Sequence, residues 1–231
     1  MYLVVSGEGE TDIGKTNEAI GPLSKLIDKF IEQHAQYSLL ETGMLEVIHE
    51  ARITEISRNK KIIKPLSRRG KKTPPETREF YSAARALAHL ALNAGIQPSL
   101  AVLFHDSDSN KWPDYETKRI SMEYGFEAQG FDNGVPFVAQ PKSEAWLLCA
   151  LKNRYQHCSA FEGRSGNDAS PQSLKDELKA HLGEPPTRVK LNQLVDDGQI
   201  DLSQITDMKS VIDFQESMKK VLGRILNKRT L

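Results

Sequence analysis

Acidic residues follow two apolar, strand-like segments of this chain. Glu8 comes shortly after residues 2–6 (YLVVS), and residues 100–104 (LAVLF) lead through His105 to Asp106 and Asp108. Alternate residues of an extended chain point the same way, so the two aspartates can bind one or two metal ions together. Glu8 adds a third carboxylate and leaves positions open for water and phosphate oxygens, a ligand set that suits Mg²⁺. Two such ions about 4 Å apart would activate water and stabilise the leaving oxygen of a phosphodiester.

A third segment, residues 135–139 (VPFVA), leads through Lys142 to Glu144. Glu144 has two interpretations: an acid in the first turn of a helix, favoured by the helix dipole, or a fourth carboxylate that reaches the metal ions. In the second interpretation Lys142 is available for a phosphate oxygen. His105 would point away from the metal side of its strand, so a structural role is expected for it, and Trp146 is expected in the core.

The stretch GEGETDIGKT, residues 7–16, permits a different function. From Gly9 it matches G-x-x-x-x-G-K-T, the phosphate loop of NTPases, in which Lys15 would neutralise the phosphates and Thr16 would ligate magnesium. Such a loop needs its helix to begin at the Gly-Lys-Thr, whereas Gly21-Pro22 predicts a helix start near residue 22. Three carboxylates in the same stretch would also repel a triphosphate. The phosphate loop is therefore the disfavoured interpretation.

The elements that position these acids follow the order of an α/β protein. Strands are predicted at residues 2–6, 100–104 and 135–139, and helices from about 22, over 76–93, around 115–124, and from about 143. Residues 44–57 are compatible with a strand or with a short helix. Alternating strands and helices of these lengths predict a parallel sheet flanked by helices on both faces.

The pattern changes after residue 157. A loop rich in Gly, Ser and Asn is followed by segments with helical periodicity and no strand pattern. We therefore expect residues 1–157 to form an α/β catalytic domain, and residues 158–231 to form an α-helical C-terminal cap packed on it.

Composition limits the classes of partner. The 231 residues include 31 basic and 31 acidic ones, so the net charge does not call for a nucleic-acid or membrane partner. The chain has no apolar run of about 18 residues and no export signal at its start, which predicts a cytoplasmic protein with no membrane partner. Cys149 and Cys158 are too few for a disulfide scaffold or a cysteine zinc site and are expected to be reduced.

Basic residues are clustered in one segment. Residues 58–72 hold eight basic residues and no acidic one. A solvated loop and a contact with a polyanion are both compatible with such a run. In the second interpretation the residues that would contact DNA or RNA are Lys60, Lys61, Lys64, Arg68, Arg69, Lys71 and Lys72, together with Lys142.

The acidic motifs Glu8-Gly9 in VVSGEGETD and Asp106-Ser107-Asp108 in LAVLFHDSDSN resemble those of the Toprim superfamily. That superfamily includes topoisomerases, bacterial primases, the overcoming-lysogenization-defect nucleases and small maturation ribonucleases. The resemblance implies a Toprim-like α/β fold in which Glu8 is a metal ligand or general acid/base and the two aspartates bind magnesium. The segments HDSDSN and VPFVAQPKSEAWLL are also similar to small stand-alone Toprim-like bacterial proteins associated with phage defence.

The ligand at the first strand has three candidates. An apolar residue usually precedes the Toprim glutamate, whereas Gly7 does so here. Glu8, Glu10 and Asp12 therefore remain alternatives, with Glu8 preferred and Asp12 second.

These features predict a nuclease that depends on Mg²⁺ or Mn²⁺ and cleaves DNA or RNA. Glu8, Asp106 and Asp108 would be its metal ligands, and Glu8, Asp12 and Glu144 its catalytic residues. One alternative is the phosphate-loop NTPase. The other is a non-catalytic subunit that binds nucleic acid, or an ATPase or other defence-system partner, through the basic segment or the helical cap.

Overall fold

Four parallel strands form the centre of the fold. The structure is a computed structural model of the chain and describes residues 1–59, 62–63 and 78–227. In the described part, the sheet has the order β2-β1-β3-β4. The strands are β1 (Tyr2–Gly7), β2 (Leu45–Ile48), β3 (Ser99–Asp106) and β4 (Gly134–Ala139). The predicted α/β class with an all-parallel sheet is confirmed.

Helices cover both faces of this sheet. They are α1 (Pro22–Ala35), α2 (Glu50–Arg58), α3 (Arg78–Asn93), α4 (Trp112–Ala128), α5 (Ser143–Leu151), α6 (Ser159–Glu162), α7 (Leu174–Leu182), α8 (Arg188–Asp196) and α9 (Lys209–Asn227), with a 3-10 turn at Leu202–Gln204. The helix start predicted near residue 22 is confirmed, because Pro22 opens α1 with the fixed φ that suits a first turn. None of the helices in the described ranges is long and apolar enough to cross a membrane.

The ambiguous segment 44–57 contains both predicted possibilities in succession. Leu45–Ile48 pairs in parallel with β1 as an edge strand, and α2 follows after His49, whose ring accepts a hydrogen bond from Ala51 N. A four-residue strand followed at once by a helix has no single period. This explains why periodicity alone did not separate the two elements.

Residues along β1 alternate between two hydrophobic clusters. Leu3 and Val5 pack on one face with α1, α5 and the C-terminal helices, and Val4 packs on the other face with α2, α3 and α4. Sheets buried on both faces have strands with continuous apolar runs, as β1 and β3 have at residues 2–5 and 100–104. Helix α9 contacts β4, so the C-terminal helices pack on the sheet and share one of its cores.

Trp146 lies fully buried between the sheet and α9, as the sequence predicted. Its ring stacks on Phe137 with centroids 4.9 Å apart, and its Nε1 donates a hydrogen bond to Ser210 Oγ at 2.9 Å. Because the substitution leaves a large cavity and removes the indole N–H that donates to Ser210 Oγ, Trp146→Ala is expected to lower the free energy of unfolding by about 3–5 kcal/mol. Urea denaturation would measure this loss. Trp112→Ala is the control, since Trp112 is only partly buried; an equal loss in both variants would contradict the assignment of Trp146 to the core.

The expectation of two reduced cysteines is wrong. Cys149 in α5 and Cys158, just before α6, form a disulfide with Cα atoms 5.1 Å apart. The chain reverses between them through residues 152–157, where Arg154, Tyr155 and His157 all have positive φ. This reversal brings the two cysteines together, and a spacing of nine residues in the sequence did not reveal it.

Candidate metal centre

The carboxyl ends of β1, β3 and β4 meet at one edge of the sheet. Gly7 is in register with Phe104, and Asp106 is in register with Ala139. The loops that leave these strands therefore begin close together, as expected for neighbouring parallel strands. Gly7 allows this approach, because a Cβ there would lie 2.4 Å from the carbonyl oxygen of Phe104.

The loop after β1 directs Asp12 back toward this edge. Gly9 has a φ of +83°, and its carbonyl oxygen accepts hydrogen bonds from the amides of Asp12 and Ile13, both at 3.1 Å. A Cβ at Gly9 would lie 2.5 Å from Asp12 Oδ2. Both the positive φ and the close approach require glycine at this position.

Ser143, the first residue of α5, joins Asp12 to Asp106. Its amide donates a hydrogen bond to Asp106 Oδ1 at 3.0 Å, and its hydroxyl donates to Asp12 Oδ1 at 3.2 Å. Two carboxylates that are 94 positions apart in the sequence thus share one partner, next to Glu144. Sequence reasoning missed Ser143, since a serine at the start of a helix is normally only a cap.

Electrostatic repulsion links the acids around Ser143. Burial raises the pKa of Asp106 well above its usual range, and the carboxylates of Glu144, Asp12 and Asp108 raise it further. Burial, and next the charge of Glu144, raise the pKa of Asp12 to about 6, while the hydrogen bond from Ser143 opposes the shift. Several carboxylates this close together favour protonation or a bound cation.

Glu8 lies at the end of β1 with a different set of neighbours. Its Oε2 lies 3.3 Å from His105 Nδ1, and this hydrogen bond lowers the pKa of Glu8 despite partial burial. The positive charges of Lys118 and Lys142 lower it further. His105 packs edge-on against Phe80, as its expected structural role implies. It also contacts Glu8, which the sequence predicts to be a metal ligand.

Lys118 is a second residue that sequence reasoning missed. Its Nζ donates a hydrogen bond to the carbonyl oxygen of Asp106 at 2.9 Å and lies 4.9 Å from the centre of the Phe80 ring. It places a positive charge next to Glu8. No signal in the sequence marks it, because a lysine in a polar helix is ordinarily a solvated residue.

The premise of an extended Asp106-Ser107-Asp108 segment is wrong. Strand β3 ends at Asp106, and Asp108 has a φ of +55°, so alternation along a strand does not determine where its side chain points. Its amide donates to the carbonyl oxygen of Pro141 at 2.9 Å, and its Oδ1 lies 3.5 Å from Lys142 Nζ. Ser107 between them is buried, and its hydroxyl donates to Gln140 Oε1 at 2.5 Å.

Glu10 has partners on the other side of the loop. Its carboxylate lies 2.7 Å from His49 Nε2 and 3.5 Å from Lys15 Nζ, and it is exposed. Of the three candidates at the first strand, Asp12 shares a partner with Asp106, and Glu8 contacts the histidine that precedes it. Glu10 makes neither contact.

Lys15 and Thr16 lie outside any helix. Gly14 and Ile20 form an isolated antiparallel bridge, and Lys15 N donates to the carbonyl oxygen of Ala19 at 3.1 Å. The first helix begins at Pro22, six residues beyond Thr16. The helix N-terminus that a phosphate loop needs is therefore not next to its lysine.

The basic segment is only partly described. Lys60, Lys61, Lys64, Arg68, Arg69, Lys71 and Lys72 lie outside the described residues. Lys142, the remaining predicted nucleic-acid contact, is described; its Nζ lies 3.5 Å from Asp108 Oδ1, and its side chain is 18% exposed.

Five acidic residues interact electrostatically at this edge, and we call them the carboxylate cluster: Asp12, Asp106, Glu144, Glu8 and Asp108. Its oxygen donors are those that Mg²⁺ and Mn²⁺ prefer, so their chemistry fits a hard divalent cation. Among the described residues, no three Asp, Glu, His or Cys side chains are close enough to hold one ion as they stand. Binding would therefore require side-chain rotations within the cluster.

Comparisons of the chain with models of protein families, with curated proteins and with solved structures found no match. Its function is therefore inferred from the geometry and chemistry of the carboxylate cluster.

Proposed function

We propose that this protein is a nuclease that uses Mg²⁺ or Mn²⁺ to hydrolyse phosphodiester bonds of DNA or RNA. The observation that carries the proposal is the hydrogen bonding of Asp12 and Asp106 to the same residue, Ser143, at 3.2 and 3.0 Å. This contact brings acids from two loops to one edge of a parallel sheet, beside Glu144. The resemblance of the two acidic motifs to Toprim enzymes supports the same activity.

The carboxylate cluster would hold the metal ions. Asp12, Asp106 and Glu144 form its centre, and Glu8 and Asp108 extend it along the sheet edge. When bound, the ions would supply an activated water and a Lewis acid for the leaving oxygen. Ser143 orients the two central aspartates through its amide and its hydroxyl. Glu8, whose pKa is lowered, is ionised at neutral pH and available as a ligand or proton acceptor.

Two lysines beside the cluster suit the phosphate of the substrate. Lys118 and Lys142 both place positive charge near Glu8, and they come from α4 and from the loop before α5. Lys118, which contacts Asp106, would stabilise the negative charge that develops on the scissile phosphoryl group, and Lys142 would contact the substrate backbone. The nucleic acid itself, whether DNA or RNA, would be attracted by these charges in a salt-dependent manner.

Cleavage assays with supercoiled plasmid and with transfer RNA test this proposal. We expect nicking or cleavage of at least one substrate with Mg²⁺ or Mn²⁺ and none with EDTA. Asp106→Ala should abolish the activity, because it removes a central carboxylate, whereas Lys15→Ala should retain it, because Lys15 is outside the cluster. Cleavage that survives Asp106→Ala would reject the carboxylate cluster as the metal centre, and the absence of cleavage by wild type would reject the nuclease assignment. ATP binding that disappears in Lys15→Ala would instead support the phosphate-loop alternative.

A further inference from the structure

The loop between α6 and α7, residues 163–173, borders the carboxylate cluster. Gly166 in this loop is buried, and a Cβ there would lie 2.9 Å from the carbonyl carbon and oxygen of Asp108. Arg164 holds the two ends of the loop together by donating a hydrogen bond to the carbonyl oxygen of Gln172 at 2.5 Å. This loop of the helical cap thus packs against Asp108 of the carboxylate cluster.

Asp168 in this loop bridges two lysines. Its Oδ1 lies 3.1 Å from Lys142 Nζ, and its Oδ2 lies 3.7 Å from Lys175 Nζ. Lys142 also lies 3.5 Å from Asp108 Oδ1. Lys175, in the first turn of α7, is close enough to Asp12 for its charge to lower the pKa of that aspartate. Both ammonium groups therefore border the carboxylate cluster.

Two ammonium groups that bind one anion between them can bind a phosphate in its place. A carboxylate and a phosphodiester both present two negatively charged or partly charged oxygens to such donors. Asp168 is about half exposed and belongs to a surface loop, so an incoming anion can compete with it. Lys142 is only 18% exposed, which limits its movement and keeps one side of the arrangement in place.

We propose that Lys142 and Lys175 form a subsite for a backbone phosphate next to the scissile one, and that Asp168 occupies this subsite until nucleic acid binds. The subsite rests on the proposed function in two respects: that its ligand is nucleic acid, and that the neighbouring phosphate is the scissile one. Asp168 acts as an internal competitor of the substrate. Its removal should strengthen anion binding even in a protein that cannot cleave.

Binding measurements on the cleavage-deficient Asp106→Asn protein test the subsite. The probe is a short fluorescein-labelled single-stranded oligonucleotide, prepared as DNA and as RNA, and the readout is fluorescence anisotropy in EDTA at low salt. In this background Asp168→Asn should tighten binding by roughly 3- to 10-fold, the size expected for freeing exposed ion pairs. Higher salt should reduce the gain. Lys142→Gln and Lys175→Gln should each weaken binding.

Two controls separate the subsite from a general charge effect. Asp197→Asn changes the net charge by the same amount at an exposed site after α8, and should not tighten binding. With both lysines replaced by Gln, Asp168→Asn should have no effect. The proposal is overturned if Asp168→Asn leaves binding unchanged, weakens it, or tightens it no more than Asp197→Asn does.

Failure of the nuclease assignment gives a different result. If wild-type protein cleaves no nucleic acid but Asp168→Asn still tightens binding through the two lysines, the subsite stands and the proposed function falls. If cleavage occurs but the binding of Asp168→Asn equals that of its parent, the function stands and the subsite falls. Thermal unfolding of each variant verifies that the compared proteins are folded.

Discussion

Replacing Asp106 with Asn is expected to lower the rate of metal-dependent cleavage by roughly three orders of magnitude without destabilising the metal-free protein. The side-chain oxygen of Asn can still accept the hydrogen bond that Ser143 donates to Asp106 Oδ1. The substitution also replaces a buried carboxyl group, whose ionisation burial and the charges of Glu144, Asp12 and Asp108 oppose, with a neutral amide. In EDTA the variant should therefore unfold at the same temperature as wild type or at a higher one. Added Mn²⁺ should raise the unfolding temperature of wild type, and this stabilisation should be lost or strongly reduced in the variant.

Asp28→Asn is the matched control for this prediction. Asp28 is also buried, at 4% exposure, but its carboxylate accepts hydrogen bonds from Ser38 Oγ at 2.6 Å and from the amides of Leu39 and Leu40 at 2.7 and 3.2 Å. Losing acceptors there should lower the free energy of unfolding by about 1–3 kcal/mol and leave kcat unchanged below the unfolding transition. If Asp106→Asn behaves like Asp28→Asn, losing stability and retaining activity, Asp106 is structural and the metal centre is wrong.

The stability gained by Asp12→Asn in EDTA is expected to grow as the pH rises from 4 to 7. Burial and the charge of Glu144 raise the pKa of Asp12 to about 6, so the native state holds a proton that the unfolded chain releases near pH 4. The stabilising contribution of Asp12 is therefore present below about pH 4 and is lost as the pH rises through about 6. An Asn avoids this loss and keeps an acceptor for the Ser143 hydroxyl. The gain over wild type should reach roughly 1–3 kcal/mol at pH 7.

Urea denaturation of wild type and variant between pH 4 and 8 would measure this difference. Glu8→Gln is the comparison with the opposite sign, because the hydrogen bond with His105 lowers the pKa of Glu8. Its stabilising contribution is present above the usual glutamate range and is lost as the pH falls, so Glu8→Gln should cost stability at neutral pH. A pH-independent difference between Asp12→Asn and wild type would show that the Asp12 carboxylate is not perturbed.

Mn²⁺ should compete with protons for the same cluster. Asp12 and Asp106 have raised pKa values and hold protons that the cation must displace. Fewer protons compete as the pH rises, so the apparent affinity for Mn²⁺ should increase between pH 5 and 7. Thermal shift at several Mn²⁺ concentrations and pH values would measure this dependence, and Asp12→Asn should flatten it.

Local patterns in the sequence determined the elements and the edge where the acids lie. Short apolar runs predicted β1, β3 and β4, and Pro22 predicted the start of α1, because each signal is complete within a few residues. The parallel arrangement then followed from the alternation of strands and helices. It brought Glu8 and Asp106 to the same edge of the sheet without any knowledge of the loops.

Only the tertiary structure decided which side chains meet at that edge. The positive φ of Gly9 directs Asp12 inward while Glu10 pairs with His49, and no periodic signal describes such a loop. Some contacts join segments that are separate in sequence, as those of Ser143, Lys118 and Asp168 do. The disulfide instead joins two cysteines across an irregular turn. A sequence records each residue's own preferences, whereas these contacts depend on where packing places its neighbours. The positions of β1, β3 and β4 and the start of α1 were therefore predictable, whereas β2 and the partners of each carboxylate were not.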